Sequence, residues 1–125
     1  MSEQVRGKPM KLSIQVETHD SNLVSNLFES ARSISGQTQK TISEEVTMRF
    51  EGLEVSLAID VPSIITATLY IGEHVALPIA VTVLSRYLYD KLRRRRDNKL
   101  RINGTQVEIN AEKIEQLIIV NLKEG

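Results

Sequence analysis

The clearest fold signal in the sequence is LRINGTQVEI, residues 100–109. Apolar and polar residues alternate on both sides of Asn103-Gly104, which is the spacing of half-buried strands. An Asn-Gly pair favours a type I′ turn because both residues tolerate a positive φ. This stretch therefore predicts a β-hairpin of two short strands.

A helix is predicted on the C-terminal side of this hairpin. Asn110 is suited to accept a hydrogen bond from the free N–H groups of the first turn. Ile114, Leu117 and Ile118 follow at helical spacing. The pattern predicts an amphipathic helix with these three side chains facing a core.

A longer helix is predicted on the N-terminal side, over residues 64–92, which are apolar for most of their length. The apolar stretch is interrupted at Gly72 and again at Pro78. Proline removes one helix hydrogen bond and clashes with the preceding turn. A kink or a break is therefore expected between residues 72 and 78.

The first half of the chain is predicted to be rich in strands. Residues 12–16 alternate between apolar and polar, and so do residues 46–50 and 53–59. Glu51-Gly52 separates the last two runs. It predicts either a hairpin with a tight turn or one long strand with a bulge at Gly52.

One helix and one loop are predicted between these strands. Residues 23–31 place their apolar side chains on one helical face, and Asp20 or Ser21 is suited to cap that helix. Residues 33–40 are polar, contain a glycine and show no period. They are expected to form a loop.

These elements predict an α+β domain in the order β-α-β-β-α-β-β-α, with a small, mostly antiparallel sheet packed on the central apolar helix. The chain has 125 residues, a common size for one domain, and its composition of 41% hydrophobic and 26% charged residues is that of a globular protein. Residues 1–10 are predicted to be a flexible leader, and residues 11–125 the single domain.

Charge and cysteine content exclude several classes of function. Sixteen basic residues balance sixteen acidic ones, so no overall field attracts nucleic acid or a membrane. There is no cysteine, which excludes disulfides, thiolate zinc sites and a cysteine nucleophile. The absence of cysteine and of a secretory signal in the first residues favours a cytoplasmic protein. No cofactor and no metal are predicted.

The apolar helix predicts an interaction surface. A helix that is apolar on all sides must be covered on all sides, and a small domain has few elements to do so. Self-association or a protein partner is therefore expected. The residues assigned to this surface are Ile64, Leu69, Ile71, Val75, Leu77, Val81, Leu84 and Leu88.

The same segment has roughly the length of a membrane span, about 20 residues. Glu73 and His74 fall at its centre, where a charge in lipid would be costly. A central helix, or a pair of helices, covered by the sheet and by another subunit is therefore the preferred interpretation.

A basic run follows the helix, and it is the second feature with a functional meaning. Arg93, Arg94, Arg95 and Arg96 are candidates for binding phosphates of nucleic acid or of an anionic membrane, together with Arg86, Lys99 and the nearby Tyr87 and Tyr89. The alternative is a solvated helix end, where cations complement the negative end of the helix dipole.

Glu73 and His74 are the third feature. They are candidates for an acid and a base or for metal ligands, but adjacent helical residues point about 100° apart and share no ligand face. The alternative is a polar helix break or a pH-sensitive contact at an interface. His19-Asp20 precedes a helix and is interpreted as capping rather than as a catalytic dyad.

The second half of the chain has an outline known from one family. An apolar helix ends in Lys91-Leu92-Arg93-Arg94-Arg95-Arg96, and the hairpin at 100–109 and a short helix follow. This outline resembles the effector-associated constant components, which are non-catalytic partners encoded beside proteases or other effectors in bacterial conflict systems. The resemblance spans residues 11–122 in outline and 77–118 in residue detail. The polar loop at 33–45 is longer than in the family, and no site residues are transferred.

The leading hypothesis is therefore a non-enzymatic interaction or scaffold module. It would form a homo-oligomer, bind an effector protein of a bacterial defence or signalling system, or do both. The first alternative is a binding module for nucleic acid or an anionic membrane that uses Arg93–Arg96. The second is a small enzyme or ligand-binding protein that uses Glu73 or His74.

Overall fold

The computed structural model describes residues 10–30, 36, 38–55, 58, 60–74 and 76–124. The strands of this part of the chain are β1 (Met10–Thr18), β2 (Gln39–Ser43), β3 (Val46–Glu54), β4 (Ser63–Ile71), β5 (Lys99–Ile102) and β6 (Thr105–Val107). The helices are α1 (Leu23–Phe28), α2 (Leu77–Leu92) and α3 (Ala111–Glu124). Most of the predicted leader lies outside the described residues, and Met10 already belongs to β1.

The strands form one sheet in the order β2-β3-β4-β1-β5-β6, and all neighbours are antiparallel. The predicted α+β class and antiparallel sheet are confirmed, and the predicted order of elements recurs with one strand added before the central helix. The sheet and the helices form two layers with one core between them.

The core forms where the inward faces of the strands meet the helices. Along β1, every second residue from Leu12 to Thr18 is buried, and the residues between them are exposed or half-buried. This alternation is expected of an antiparallel sheet that is covered on one face. Leu84 and Leu88 of α2 and Ile118 of α3 have no exposed surface and cover that face. Burying each such side chain contributes about 1.5–3 kcal/mol.

The predicted helix over residues 64–71 is wrong, because this segment is strand β4. Ile65, Ala67, Leu69 and Ile71 are buried, and the residues between them are half-buried. The segment pairs with β1 on one side and β3 on the other. Its isoleucines and threonines are β-branched, which suits a strand between two neighbours.

Of the two expectations for residues 72–78, the break is correct and the kink is wrong. Helix α2 begins at Leu77, so Pro78 lies in its first turn. Proline is tolerated there because its missing N–H would have no intrahelical partner. The C-terminal part of the predicted helix, residues 77–92, is therefore confirmed as α2.

Residues 46–54 form one strand rather than a hairpin. The register between β3 and β4 shifts between Phe50 and Gly52, which is the bulge named as the alternative. Strand β2 begins at Gln39, inside the segment predicted to be a loop, and turns into β3 at Glu45, whose φ is 59°.

The predicted hairpin is confirmed as β5 and β6. Asn103 and Gly104 have φ angles of 49° and 87°, as a type I′ turn requires. The Asn103 side chain also joins the hairpin to its neighbours. Its Oδ1 accepts the N–H of Ser13 at 2.9 Å, and its Nδ2 donates to Asn121 Oδ1 at 3.0 Å. The turn is thus fixed to both β1 and α3.

Candidate functional site

An apolar groove runs between the first half of α2 and the face of α3 that carries Glu115, Ile119 and Leu122. Its volume is about 400 Å³. The residues that line it are Leu77, Pro78, Val81, Thr82, Glu115, Ile119 and Leu122. We refer to it as the α2–α3 groove. Among these lining residues, Glu115 alone is charged, and its Oε2 accepts a hydrogen bond from Thr82 Oγ1 at 3.4 Å.

The groove exists because both helices are apolar on more than the face that meets the sheet. In α3, Ile118 is fully buried, the next residue Ile119 is half-buried, and Val120 is 48% exposed. Consecutive helical residues point about 100° apart, so they cannot all face one core. In α2, Leu77 and Ile79 are 38% and 61% exposed at the start of the helix. Apolar surface therefore remains uncovered beside the groove.

The predicted interaction residues do not form one helix surface. Leu69 and Ile71 lie in β4, Leu84 and Leu88 lie in α2, and all four are buried in the core of the chain itself. Ile64 is half-buried in β4, on the side of the strand opposite that core. The surface assigned to them is therefore wrong, because the strand and the helix bury these side chains together.

Two of the predicted interaction residues do line the groove. Leu77 is exposed at its edge, and Val81 is buried at its floor. Val75 lies outside the described residues. The contribution of α3 was missed, although the consecutive apolar residues from Leu117 to Val120 were a signal that one helix face cannot hold them all.

A second concave surface lies between the end of α2 and the β5–β6 hairpin. Its volume is about 430 Å³. The residues that line it are Tyr89, Arg93, Arg95, Arg96, Asn98, Lys99, Gln106, Val107, Glu108 and Ile109. We refer to it as the basic cleft. Three of the four predicted arginines line it, and Arg94 does not.

The cations of the basic cleft are not equivalent. Arg95 Nε lies 3.2 Å from Asp97 Oδ1, and this hydrogen bond raises the pKa of Arg95. Arg93 lies 3.7 Å from Asp90 and 5.7 Å from the centre of the Tyr89 ring. By contrast, Arg96 and Lys99 are exposed and have no ion pair within the described part of the chain.

Tyr87 does not join Tyr89 at the cleft. Its hydroxyl donates a hydrogen bond to the carbonyl oxygen of Leu27, and burial raises the pKa of Tyr87. The ring therefore packs helix α2 against α1 and is not available to stack on a base.

Glu73 and His74 lie in the turn between β4 and α2. The backbone N–H of His74 donates to Glu45 Oε1 at 3.1 Å, and His74 Nδ1 lies 3.3 Å from Glu45 Oε2. Glu73 Oε2 lies 3.9 Å from His74 Nε2. Glu45 also covers Gly72, where a Cβ atom would lie 2.1 Å from Glu45 Oε1. The pair therefore helps to join the β2–β3 turn to the turn before α2.

The other histidine pairs with a carboxylate distant in sequence rather than with Asp20. His19 Nδ1 lies 2.9 Å from Asp97 Oδ2, and the hydrogen bonds from Arg95 and His19 lower the pKa of Asp97. Asp20 Oδ1 accepts the N–H of Asn22 at 2.9 Å. Asn22 is the N-cap of α1, so the predicted cap at Asp20 or Ser21 is displaced by one or two residues.

No protein-family model, no curated protein and no solved structure matches the chain. In the described ranges, no helix is long and apolar enough to cross a membrane, and no three His, Cys, Asp or Glu side chains are grouped to hold a metal ion. The α2–α3 groove and the basic cleft are two concave surfaces of unlike chemistry within the described residues.

Proposed function

We propose that this chain is a non-enzymatic protein-interaction module that self-associates through the α2–α3 groove. The observation that carries the proposal is the uncovered apolar surface at the start of α2, where Leu77 of the groove is 38% exposed and Ile79, outside the lining, is 61% exposed. Exposed apolar surface next to a concave apolar site is typical of a protein interface.

The occupant we propose for the groove is a second copy of the chain. Ile79 is an exposed apolar side chain in the same first turn of α2 as Leu77 and Pro78, which line the groove. A two-fold axis through such a surface lets Ile79 of each copy enter the groove of the other, which is the isologous contact of most homodimers. The formal net charge is zero, so two copies do not repel each other at long range.

The electrostatics of the groove are compatible with burial against a second copy. Glu115 is the charged residue of the lining set, and Thr82 donates a hydrogen bond to it across the groove. A carboxylate with a hydrogen-bond donor is less costly to bury than one without a partner. The contact would therefore be mainly apolar and would respond weakly to salt.

The experiment is the solution mass of untagged protein by light scattering, over a range of protein and salt concentrations. We expect a dimer that salt does not dissociate, and Ile79→Asp should weaken it by about tenfold or more, because the new carboxylate would be buried without a partner. The matched control is Val61→Asp, since Val61 is 50% exposed and lies outside both the groove and helix α2. A wild-type monomer at all concentrations, or equal weakening by both variants, would contradict self-association through this groove.

The resemblance to effector-associated constant components extends the proposal to a second partner. As an accessory component of a bacterial defence or signalling system, the module would also bind an effector protein. Co-expression with the products of genes adjacent to its own tests this part. Capture that survives Val61→Asp and is lost in Ile79→Asp would mean that the effector binds the dimer formed through the α2–α3 groove. Failure to capture any neighbouring gene product would contradict the accessory role. It would not bear on the dimer, which the light-scattering experiment tests separately.

A further inference from the structure

The basic cleft is a second site, separate from the α2–α3 groove. The groove uses the first turns of α2, and the cleft begins at Tyr89 and continues past the end of the helix. At 1.5 Å per residue, the start and the end of α2 are about 24 Å apart. A ligand in the cleft would therefore leave the groove open.

The charge of the cleft exceeds what the fold needs. Arg93 is the C-cap residue of α2, where a cation complements the negative end of the helix dipole. Arg95 is held by Asp97. Neither explanation covers Arg96 and Lys99, which reach the same cleft without an ion pair in the described residues. The carboxylate that lines the cleft is that of Glu108, so the positive charge is in excess.

Asn98 gives the cleft a second property. This residue lines the cleft and is only 4% exposed. Its Nδ2 donates to the carbonyl oxygen of Leu92 at 3.1 Å, which fixes the orientation of the amide. Its Oδ1 is buried and accepts no hydrogen bond from the described part of the chain. A buried acceptor without a donor is unfavourable, and this oxygen lies beneath the cleft surface, where a ligand atom reaches it only if the Asn98 side chain moves.

The remaining walls of the cleft suit a flat, partly apolar group. Tyr89 contributes an aromatic ring, and Val107 and Ile109 contribute half-buried apolar side chains. Aromatic side chains bind nucleobases by stacking, and every base has a face that can stack. The volume of about 430 Å³ lies within the range of small-molecule sites, about 300–1,000 Å³.

We propose that the basic cleft binds a nucleoside phosphate, either free or as one unit of a single-stranded nucleic acid. The phosphate contacts Arg96 and Lys99, and the base packs against the ring of Tyr89. Inorganic phosphate and phospholipid headgroups share the anionic part of this chemistry but not the base. The proposal is independent of the dimer, since it uses the other end of α2.

The experiment is calorimetric titration of the full chain with ATP, with inorganic pyrophosphate and with short single-stranded RNA, each at two salt concentrations. Flotation with phosphatidylserine vesicles tests whether the cleft binds a phospholipid headgroup instead. The test variant is Arg96→Ser with Lys99→Ser. The matched control is Lys11→Ser with Lys113→Ser, which removes the same charge from exposed positions outside the cleft. Circular dichroism verifies that both variants are folded.

We expect ATP or the RNA to bind more tightly than pyrophosphate, and the test variant to weaken that binding by about tenfold to hundredfold, as loss of charge-assisted hydrogen bonds does. The control should bind as the wild type does. Saturation by ATP would identify a free nucleotide, and binding of RNA alone would identify a strand. Pyrophosphate binding as tightly as ATP and RNA, binding to vesicles alone, or equal loss in both variants would overturn the proposal.

Discussion

The α2–α3 groove and the basic cleft lie at opposite ends of one helix and are built from different interactions. The groove is apolar, and its one charged lining residue, Glu115, is hydrogen-bonded. The cleft collects arginines and a lysine, two of which have no ion pair in the described residues. The difference arises because the two ends of α2 carry different side chains and are joined to the sheet by two unlike turns.

The turn before α2 is held by close packing. Gly72 donates its N–H to the carbonyl oxygen of Glu45 at 2.7 Å, and the Glu45 side chain lies over the glycine where a Cβ would be. The hairpin after α2 is held by backbone conformation instead. Gly104 has a φ of 87°, and a Cβ there would meet no atom within 4 Å. Substitution should therefore fail for steric reasons at Gly72 and for conformational reasons at Gly104.

The largest effect is expected at the groove end, for Gly72→Ala. The added Cβ would lie 2.1 Å from Glu45 Oε1 and 2.7 Å from Glu45 Cβ. The Glu45 carboxylate could rotate away. The Glu45 Cβ could not, because the Glu45 backbone accepts the hydrogen bond from Gly72. Overpacking of this kind costs about 1–3 kcal/mol, which urea denaturation would measure.

The control for this prediction is a second substitution, Glu45→Gly, in the same chain. It removes the atoms that the new Cβ would meet, and glycine is favoured at residue 45 because φ is 59° there. Because Glu45→Gly also removes the contacts of Glu45 with His74, the single variant Glu45→Gly is measured as well. Gly72→Ala should cost much less stability in the Glu45→Gly background than in the wild type, and an equal cost in both would mean that the steric explanation is wrong.

A smaller effect is expected at the cleft end, for Gly104→Val. A β-branched residue is strained at positive φ, and the loss should be about 1 kcal/mol or more. Gln106→Val is the matched control, because Gln106 is an exposed residue of β6 that tolerates a β-branched side chain. Equal melting temperatures for Gly104→Val and the wild type would be inconsistent with the type I′ turn.

The contrast between these two turns also explains which parts of the fold were predictable. The hairpin at Asn103-Gly104 is specified locally, since both residues tolerate the φ angles that the turn needs. The role of Gly72 depends on Glu45, which is distant in sequence. No local pattern indicates that contact.

Strand β4 differs from the predicted helix for the same reason. Ile64 and Tyr70 are half-buried on the outer side of the strand, so the alternation of buried and exposed residues is weak in the sequence. Thr66 and Thr68 were the local signal for a strand. Pairing with β1 and β3 decided the outcome, and strand preference depends strongly on such neighbours.

The candidate sites were predictable only in part. The basic run was visible in the sequence, and so was the apolar excess of residues 64–92. The groove, however, requires α3 to lie beside α2, and the unpartnered oxygen of Asn98 depends on the bond that its amide makes to Leu92. Both features arise from packing between elements, which composition and periodicity do not specify.

The smallest expected effect concerns Asp97, which joins the cleft to the end of β1. Hydrogen bonds from Arg95 and His19 lower the pKa of Asp97 below its usual value of 3.8. A lowered pKa in the folded state means that the pairing stabilises the fold above pH 3.8, and that this contribution is lost as the pH falls through the folded-state pKa. Arg95→Gln should move the pKa of Asp97 upward, toward 3.8, as followed by NMR of the carboxyl carbon.

Because Arg95 is already paired, Arg95→Gln should weaken nucleotide binding less than Arg96→Ser with Lys99→Ser does. A pKa that does not move, or a larger loss of binding, would mean that Arg95 faces the ligand rather than Asp97.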